Sequence, residues 1–121
     1  MEMIFEKISE DAKKYAKAKR CAITQINTLK SGWSKYKIGK AGETEQERFT
    51  NGYSGEYDDI ITLYTSKDPE EVSKMEKDLI NEFKYDTKCQ NDKDGFQSLN
   101  DPMTDRNKQY ITYVVFKKKK L

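Results

Sequence analysis

The sequence contains no histidine, and only two of its 121 residues are cysteine. Cys21 and Cys89 lie far apart in the chain and form no CxxC pair. These absences exclude a zinc site built from cysteine and histidine, and every catalytic triad that depends on histidine. Two isolated cysteines are also typical of a reducing environment, so we expect an intracellular, cytoplasmic protein.

Long apolar segments are missing as well. The mean hydropathy is −1.03, and no run approaches the roughly 18 apolar residues of a membrane-spanning helix. Residues 1–4 already include an acid, which is unlike a secretory signal. We therefore expect a protein without a membrane segment, folded as a single domain around a small core.

Charge is plentiful but unevenly placed, although the net charge is only +2. Residues 13–42 contain nine bases and no acid, whereas residues 43–106 contain seventeen acids and eight bases. Such asymmetry is typical of a segment that faces a polyanion such as DNA. The alternative is a solvated basic helix followed by lysine-rich strand edges, which soluble proteins also favour.

Hydrophobic periodicity and turn residues predict three helices and four strands in an α+β arrangement. The predicted elements are a helix over 3–19, a hairpin of strands over 21–26 and 35–39, a short helix over 43–49, a strand over 59–65, a helix from Pro69 to about Tyr85 with Asp68 as its N-cap, a loop over 89–106 anchored by Phe96 and Leu99, and a strand over 110–116. Both faces of the last strand are apolar, so we expect it to be buried or central in the sheet. We divide the domain into an N-terminal helix (1–20), a core (21–116) and a basic tail (117–121).

One carboxylate of the helix after Pro69 is placed among apolar residues. At 100° per residue, Glu76 lies only about 40° from Val72 and well inside the apolar stripe. A buried carboxylate is costly unless it is paired, binds a metal or lines a cleft. Glu76 is therefore a candidate metal ligand or acid–base group, and the alternative is a salt bridge to an arginine or a position at the edge of the stripe.

Arginine is scarce, and Arg48 follows directly after the basic hairpin. A guanidinium suits bidentate contact with phosphate, although a surface ion pair with Glu45 is the alternative. Without histidine, the available proton acceptors are tyrosine, lysine, carboxylates and metal-bound water. Three tyrosines flank these segments, namely Tyr36, Tyr53 and Tyr57, and packing is the alternative role for each of them.

Four segments in register resemble the GIY-YIG nuclease family. They are Tyr-Lys-Ile-Gly-Lys at 36–40, Arg-Phe at 48–49, Asp-Ile-Ile-Thr-Leu-Tyr at 59–64 and Met-Glu-Lys-Asp-Leu-Ile-Asn-Glu-Phe at 75–83. The resemblance is closer to the branch whose second motif reads Tyr-Lys-Ile-Gly-Lys, and it covers about residues 21–83. It implies a small nuclease domain that cleaves DNA phosphodiesters with one divalent metal, Mg²⁺ or Mn²⁺.

The resemblance also implies roles for individual residues. Glu76 corresponds to the metal ligand, and Arg48 to the arginine that steadies the scissile phosphate. Tyr36 is the candidate for the hairpin tyrosine that positions or activates the attacking water, and Lys40 assists at the phosphate in some members. The residues expected to contact nucleic acid are Lys35, Lys37, Lys40 and Arg48.

The sequence departs from the family in its tyrosines. The first motif should end in tyrosine, and Thr24 stands at that place. Lys37 occupies the usual tyrosine position of the second motif, with Tyr36 one residue earlier. The late asparagine of the family has no clear counterpart, although Asn81 and Asn91 are available.

Three functions are compatible with these residues. The first is a metal-dependent DNA endonuclease, and the second is a catalytically inactive domain of the same kind that binds nucleic acid or a protein partner. The third is an unrelated α+β protein with a structural or inhibitory role. A compact nuclease of this size is compatible with a phage, viral or mobile-element origin.

Overall fold

The structure is a computed structural model that describes residues 2–42, 44–91 and 109–120, with side chains from residue 13 onwards. Its elements are α1 (Glu2–Leu29), a single 3₁₀ turn (Lys30–Gly32), β1 (Trp33–Ala41), α2 (Glu45–Gly52), β2 (Asp59–Ser66), α3 (Pro69–Phe83) and β3 (Tyr110–Lys118). The predicted anchors Phe96 and Leu99 lie outside the described residues. Within the described part of the chain, no helix combines the length and apolarity needed to cross a membrane.

The three strands form one antiparallel sheet in the order β1–β3–β2. The last strand of the chain is therefore the central one, and its first seven residues are buried. Apolar side chains on both of its faces made this placement predictable, because only a strand covered on both sides buries both faces. The expected α+β fold with an N-terminal helix before the sheet is confirmed.

Helices cover both faces of the sheet. One face packs against α1 and α3, and we call it the α3 face; its core includes Ile26, Met75 and Val114. The opposite face, the α2 face, has a smaller core with Tyr113 and Val115, against which Phe49 of α2 packs. Successive strand residues point to opposite faces, so β3 contributes to both cores.

The predicted first strand is wrong, because residues 21–26 belong to helix α1. Ala22 and Ile26 lie one helical turn apart and are 2% and 0% exposed in the core of the α3 face. Thr24, midway between them, is exposed. The segment thus follows the 3.6-residue period of a helix, whereas its β-branched residues had favoured a strand. Consequently β1 has no preceding hairpin partner and pairs with β3 instead.

The two shorter helices are fixed by their caps. Thr44 and Glu47 form a capping box at the start of α2, and this moves its start two residues beyond the expected position. The Asp68 side chain accepts a hydrogen bond from the Glu70 amide at 2.9 Å, and Pro69 opens α3 as predicted. Glu71 does not complete a capping box, because its carboxylate accepts a hydrogen bond from Ser66.

The helical assignment of residues 21–26 predicts a contrast between two substitutions. Ile26→Ala should lower the free energy of unfolding by about 2–5 kcal/mol, because it leaves a cavity against α3. Thr24→Ala should change it by no more than about 0.5 kcal/mol, because the side chain is exposed. Urea unfolding followed by circular dichroism measures both. A large loss from Thr24→Ala would contradict the helix, since in a strand residues 24 and 26 would share one face.

Candidate functional site

A cluster of two phenols and one guanidinium lies on the α2 face. The Arg48 Nε–H donates to the hydroxyl oxygen of Tyr113 at 3.0 Å. The hydroxyls of Tyr53 and Tyr113 lie 2.9 Å apart, and either can be the donor. The Arg48 guanidinium also lies over the Tyr53 ring, 5.4 Å from its centroid. Three groups from α2, from its C-terminal end and from the central strand therefore meet at one point, which we call the Tyr113 cluster.

Gly39 makes room for this cluster. It pairs with Tyr113 in the β1–β3 register, so both residues face the α2 side of the sheet. A Cβ atom at position 39 would overlap the phenol ring of Tyr113. The glycine of the Tyr-Lys-Ile-Gly-Lys segment is thus required by close approach between neighbouring strands.

Electrostatics favours a cationic guanidinium in the Tyr113 cluster. Burial lowers the pKa of Arg48, but its hydrogen bond to Tyr113 and the two nearby phenols outweigh burial and hold that pKa above the usual value. Burial raises the pKa of Tyr113 above that of a free tyrosine, although Arg48 opposes the shift. The cluster therefore presents a positive charge beside the neutral hydroxyl of Tyr113, which suits an anionic ligand such as phosphate.

Two of the predicted DNA-contacting lysines are on the same face as Gly39. The Lys35 amine forms an ion pair with Glu56 at 3.2 Å and lies 4.9 Å from the centroid of the Tyr57 ring. Lys37 is half-buried on β1, between Lys35 and Gly39 in the strand alternation. Both lysines lie on the sheet face that carries the Tyr113 cluster, although Glu56 offsets the charge of Lys35.

The structure does not bring Tyr36 into this cluster. Tyr36 is fully buried on the α3 face, and its hydroxyl donates to Asp86 at 2.9 Å. Its even position on β1 places it opposite to Gly39 in the strand alternation. The second candidate, Thr24, is exposed on α1. Tyr36, the candidate for the hairpin tyrosine, and Thr24, which stands in place of the first-motif tyrosine, therefore both lie away from the Tyr113 cluster.

Glu76 and Lys40 lie on the α3 face. Glu76 is 1% exposed, as its position in the apolar stripe predicted, and its Oε1 atom is buried. Lys40 is 9% exposed, and its amine donates to the Ser73 hydroxyl at 3.1 Å. Ser73 and Glu76 are three residues apart and so occupy adjacent turns of one helix side. The Lys40 amine therefore reaches α3 within about one turn of the carboxylate.

The chemistry of Glu76 fits a hard divalent cation. Mg²⁺ in enzymes that act on phosphates usually takes one or two carboxylates, with waters and substrate oxygens as its other ligands. Among the described residues, no group of three or more histidine, cysteine, aspartate or glutamate side chains could hold a metal by itself. A metal at this place would therefore use Glu76 as its carboxylate ligand and, because Glu76 is 1% exposed, would lie in the protein interior.

Arg48 and Glu76 approach the sheet from opposite sides. Arg48 belongs to α2 and contacts Tyr113, whereas Glu76 belongs to α3, whose Val72 carbonyl accepts a hydrogen bond from Thr112 at 2.9 Å. Thr112 and Tyr113 are neighbours on β3 and point to opposite faces. The candidate residues therefore lie on two opposite faces of the sheet, and the adjacent residues Gly39 and Lys40 of β1 face one side each.

Sequence reasoning missed two residues around β1. The role of Tyr113 depends on its pairing with Gly39. These two residues are far apart in the chain, so no local sequence pattern indicates the contact. Asn91 binds the outer edge of β1, where its side chain accepts from the Ile38 amide and donates to the Ile38 carbonyl, each at 2.7 Å. Asn91 is available for the late asparagine of the family, but nothing in the sequence indicates its pairing with Ile38.

Comparison with known proteins leaves the chain unassigned. No family model, no curated protein and no solved structure matches it.

Asp86, which accepts a hydrogen bond from Tyr36, should make a pH-dependent contribution to the free energy of unfolding. Burial raises the pKa of Asp86, but hydrogen bonds from Lys30, the Lys88 amide and Tyr36 outweigh burial and lower it below 3.8. Because folding lowers the pKa of Asp86, its carboxylate stabilises the fold at any pH above the pKa that it has in the unfolded chain. This stabilisation is lost as the pH falls through the pKa that Asp86 has in the folded protein.

Asp86→Asn should therefore lower the free energy of unfolding by about 1–3 kcal/mol at pH 7. The difference from the wild type should shrink as pH falls below about 4. Urea unfolding between pH 7 and pH 3 measures this, with the exposed Glu82→Gln as control. A difference that is independent of pH would contradict the charged role of Asp86.

The close approach at Gly39 predicts a cost for any side chain there. Gly39→Ala should lower the free energy of unfolding by about 1–3 kcal/mol, because the methyl group overlaps the ring of Tyr113. Gly55→Ala is the matched control, since a Cβ there meets no atom within 4 Å. Thermal unfolding of both variants tests this, and equal melting temperatures would contradict the packing of Gly39 against Tyr113.

Proposed function

We propose that this protein is a GIY-YIG-like endonuclease that hydrolyses DNA phosphodiester bonds with one divalent metal ion. The observation that carries the proposal is the position of Tyr113. It lies on the strand antiparallel to the Lys37-Ile38-Gly39 segment, directly opposite Gly39, and its hydroxyl binds Arg48.

Tyr113 can take the place of the tyrosine that the first motif of this sequence lacks. The resemblance calls for a tyrosine on a strand that forms a hairpin with the Tyr-Lys-Ile-Gly-Lys strand. In this chain the preceding segment is helical, and β3 from the C-terminal end occupies the neighbouring position in the sheet. In this proposal, Tyr113 of β3 takes the place of the missing first-motif tyrosine.

The roles of the chain's own residues follow from their placement. Arg48, whose Nε–H donates to Tyr113, places its positive charge where it can attract the non-bridging oxygens of the scissile phosphate. Lys35 and Lys37 extend the positive surface along the DNA backbone. On the α3 face, Lys40 places a second positive charge near Glu76. Glu76 would hold a divalent metal beside Lys40 on the α3 face, where the metal would supply further positive charge.

The nuclease proposal predicts metal-dependent nicking of supercoiled plasmid DNA. With Mg²⁺ or Mn²⁺ the wild type should convert plasmid to the nicked form, and EDTA should abolish the reaction. Arg48→Lys and Glu76→Gln should each lower the rate by at least about 100-fold, because each removes a group that acts on the charged transition state. Both substitutions keep the approximate size of the side chain, and thermal unfolding verifies that the variants fold.

Matched controls separate these effects from a general loss of charge. Arg20→Lys and Glu82→Gln change exposed residues of the same types, on α1 and α3, and should cleave at the wild-type rate. Absence of metal-dependent cleavage by the wild type contradicts the nuclease proposal. Cleavage that survives Glu76→Gln would instead show that the metal is held elsewhere.

A specific observation favours a second candidate, which is nucleic-acid binding without cleavage. Arg48 and Glu76 lie on opposite sides of the sheet, and a phosphate bound at the Tyr113 cluster is then distant from a metal held on the α3 face. This function predicts DNA binding that weakens linearly in log–log plots against salt concentration, with no product formed. Fluorescence anisotropy on a labelled duplex, with and without Mg²⁺, distinguishes the two candidates.

A further inference from the structure

Three lysines form a strip on the α2 face, where β1 and β3 lie side by side. Lys117 is directly opposite Lys35 in the strand register, and Lys37 is opposite Val115. Val115 belongs to the core of the α2 face, and residues two apart on a strand share a face. All three lysines therefore lie on the side of the sheet that carries the Tyr113 cluster, and we call them the lysine strip.

The lysines at the end of β3 are held in place by backbone hydrogen bonds. β3 continues to Lys118, and the Lys118 amide donates to the Asp58 carboxylate at 2.7 Å. The Lys119 amide donates to the Gly32 carbonyl at 2.9 Å. Part of the segment that the sequence predicts as a basic tail is thus fixed beside the start of β1, so the charge of Lys117 has a defined position.

Like charges face each other within the lysine strip. Directly opposite residues of an antiparallel pair have Cβ atoms about 4.5–5.5 Å apart, and like charges at that separation destabilise the sheet. Glu56 forms an ion pair with Lys35 at 3.2 Å. Among the described residues, no acid forms an ion pair with Lys37 or Lys117. Two unbalanced positive charges therefore remain on one face of two paired strands, where they favour a bound anion.

The surroundings of the strip favour a nucleic-acid backbone over a membrane surface. Proteins that lie on membranes present apolar side chains beside their cations. Here the ring below the Lys35 amine belongs to Tyr57, which is only 6% exposed. A nucleic-acid backbone requires only cations that follow its phosphates. Lys37 lies two residues from Gly39 along β1, about 7 Å, so the strip continues from the Tyr113 cluster along the strand.

We propose that Lys37 and Lys117 contact phosphates of the DNA backbone, so that the end of β3 forms a DNA-binding surface beside the Tyr113 cluster. Contacts to phosphates hold a duplex without reading its sequence. The inference rests on the proposed function, which supplies DNA as the partner. Lys117 belongs to none of the four segments that resemble the nuclease family, so this surface is a feature of the last strand of this chain.

The test measures binding of a labelled DNA duplex by fluorescence anisotropy, in EDTA so that no metal-dependent cleavage occurs. The double variant Lys37→Gln/Lys117→Gln should bind at least about tenfold more weakly at about 0.1 M salt, because two phosphate contacts are lost. The slope of log affinity against log salt concentration should be smaller in magnitude by about 2. Duplexes of different sequence should show the same loss.

The matched control is Lys13→Gln/Lys17→Gln, which removes two exposed lysines of α1 and leaves the strip unchanged. It should bind DNA like the wild type. Thermal unfolding verifies that the variants fold. Lys117→Gln alone should not lower the melting temperature, since it removes the like charge opposite Lys35.

Equal losses of affinity in the two double variants overturn the inference, because they indicate a general effect of net charge. Wild-type affinity of Lys37→Gln/Lys117→Gln also overturns it, and plasmid nicking by the wild type then leaves the nuclease function standing. Binding to vesicles of phosphatidylcholine and phosphatidylserine, without binding to DNA, overturns it in favour of a membrane partner. A selective loss of DNA binding supports the inference even if the wild type does not cleave, so the two proposals can fail separately.

Discussion

The contact on which the rest of the site depends is the approach of the Tyr113 phenol to the backbone of β1 at Gly39. A residue with any side chain at position 39 would displace the ring. With the ring in place, its hydroxyl fixes Arg48 and Tyr53 at hydrogen-bond distance. One glycine on an outer strand therefore determines where the guanidinium of α2 can lie, and with it the position of the main positive charge on the α2 face.

The order of the strands along the chain differs from their order in the sheet. The residues of the Tyr113 cluster come from the middle of the chain and from β3, and the Tyr113 hydroxyl joins them through hydrogen bonds. If the proposed relationship to GIY-YIG nucleases holds, the strand that begins the family's motif series here ends the domain, and helix α1 takes its place in the chain. Sheet register, rather than the order of motifs, would then define the site.

Much of this fold could be predicted from local signals, and the site could be predicted only in part. The Asp68–Pro69 start and the apolar stripe located α3 and placed Glu76 inside it, and two apolar faces marked β3 as central. Residues 21–26 were misassigned because β-branched residues compete with helical spacing over so short a segment. Tyr113 could not be found, because its role depends on pairing with a strand distant in sequence, which no local pattern encodes.

The most direct test of the central claim is the single-turnover cleavage rate of Tyr113→Phe with Mg²⁺, compared with the wild type and with Tyr85→Phe, an 81% exposed tyrosine. The account predicts a fall of about 100-fold for Tyr113→Phe, because Arg48 and Tyr53 lose the oxygen that holds them. Tyr85→Phe should cleave like the wild type. A folded Tyr113→Phe protein that cleaves DNA at the wild-type rate would contradict the account.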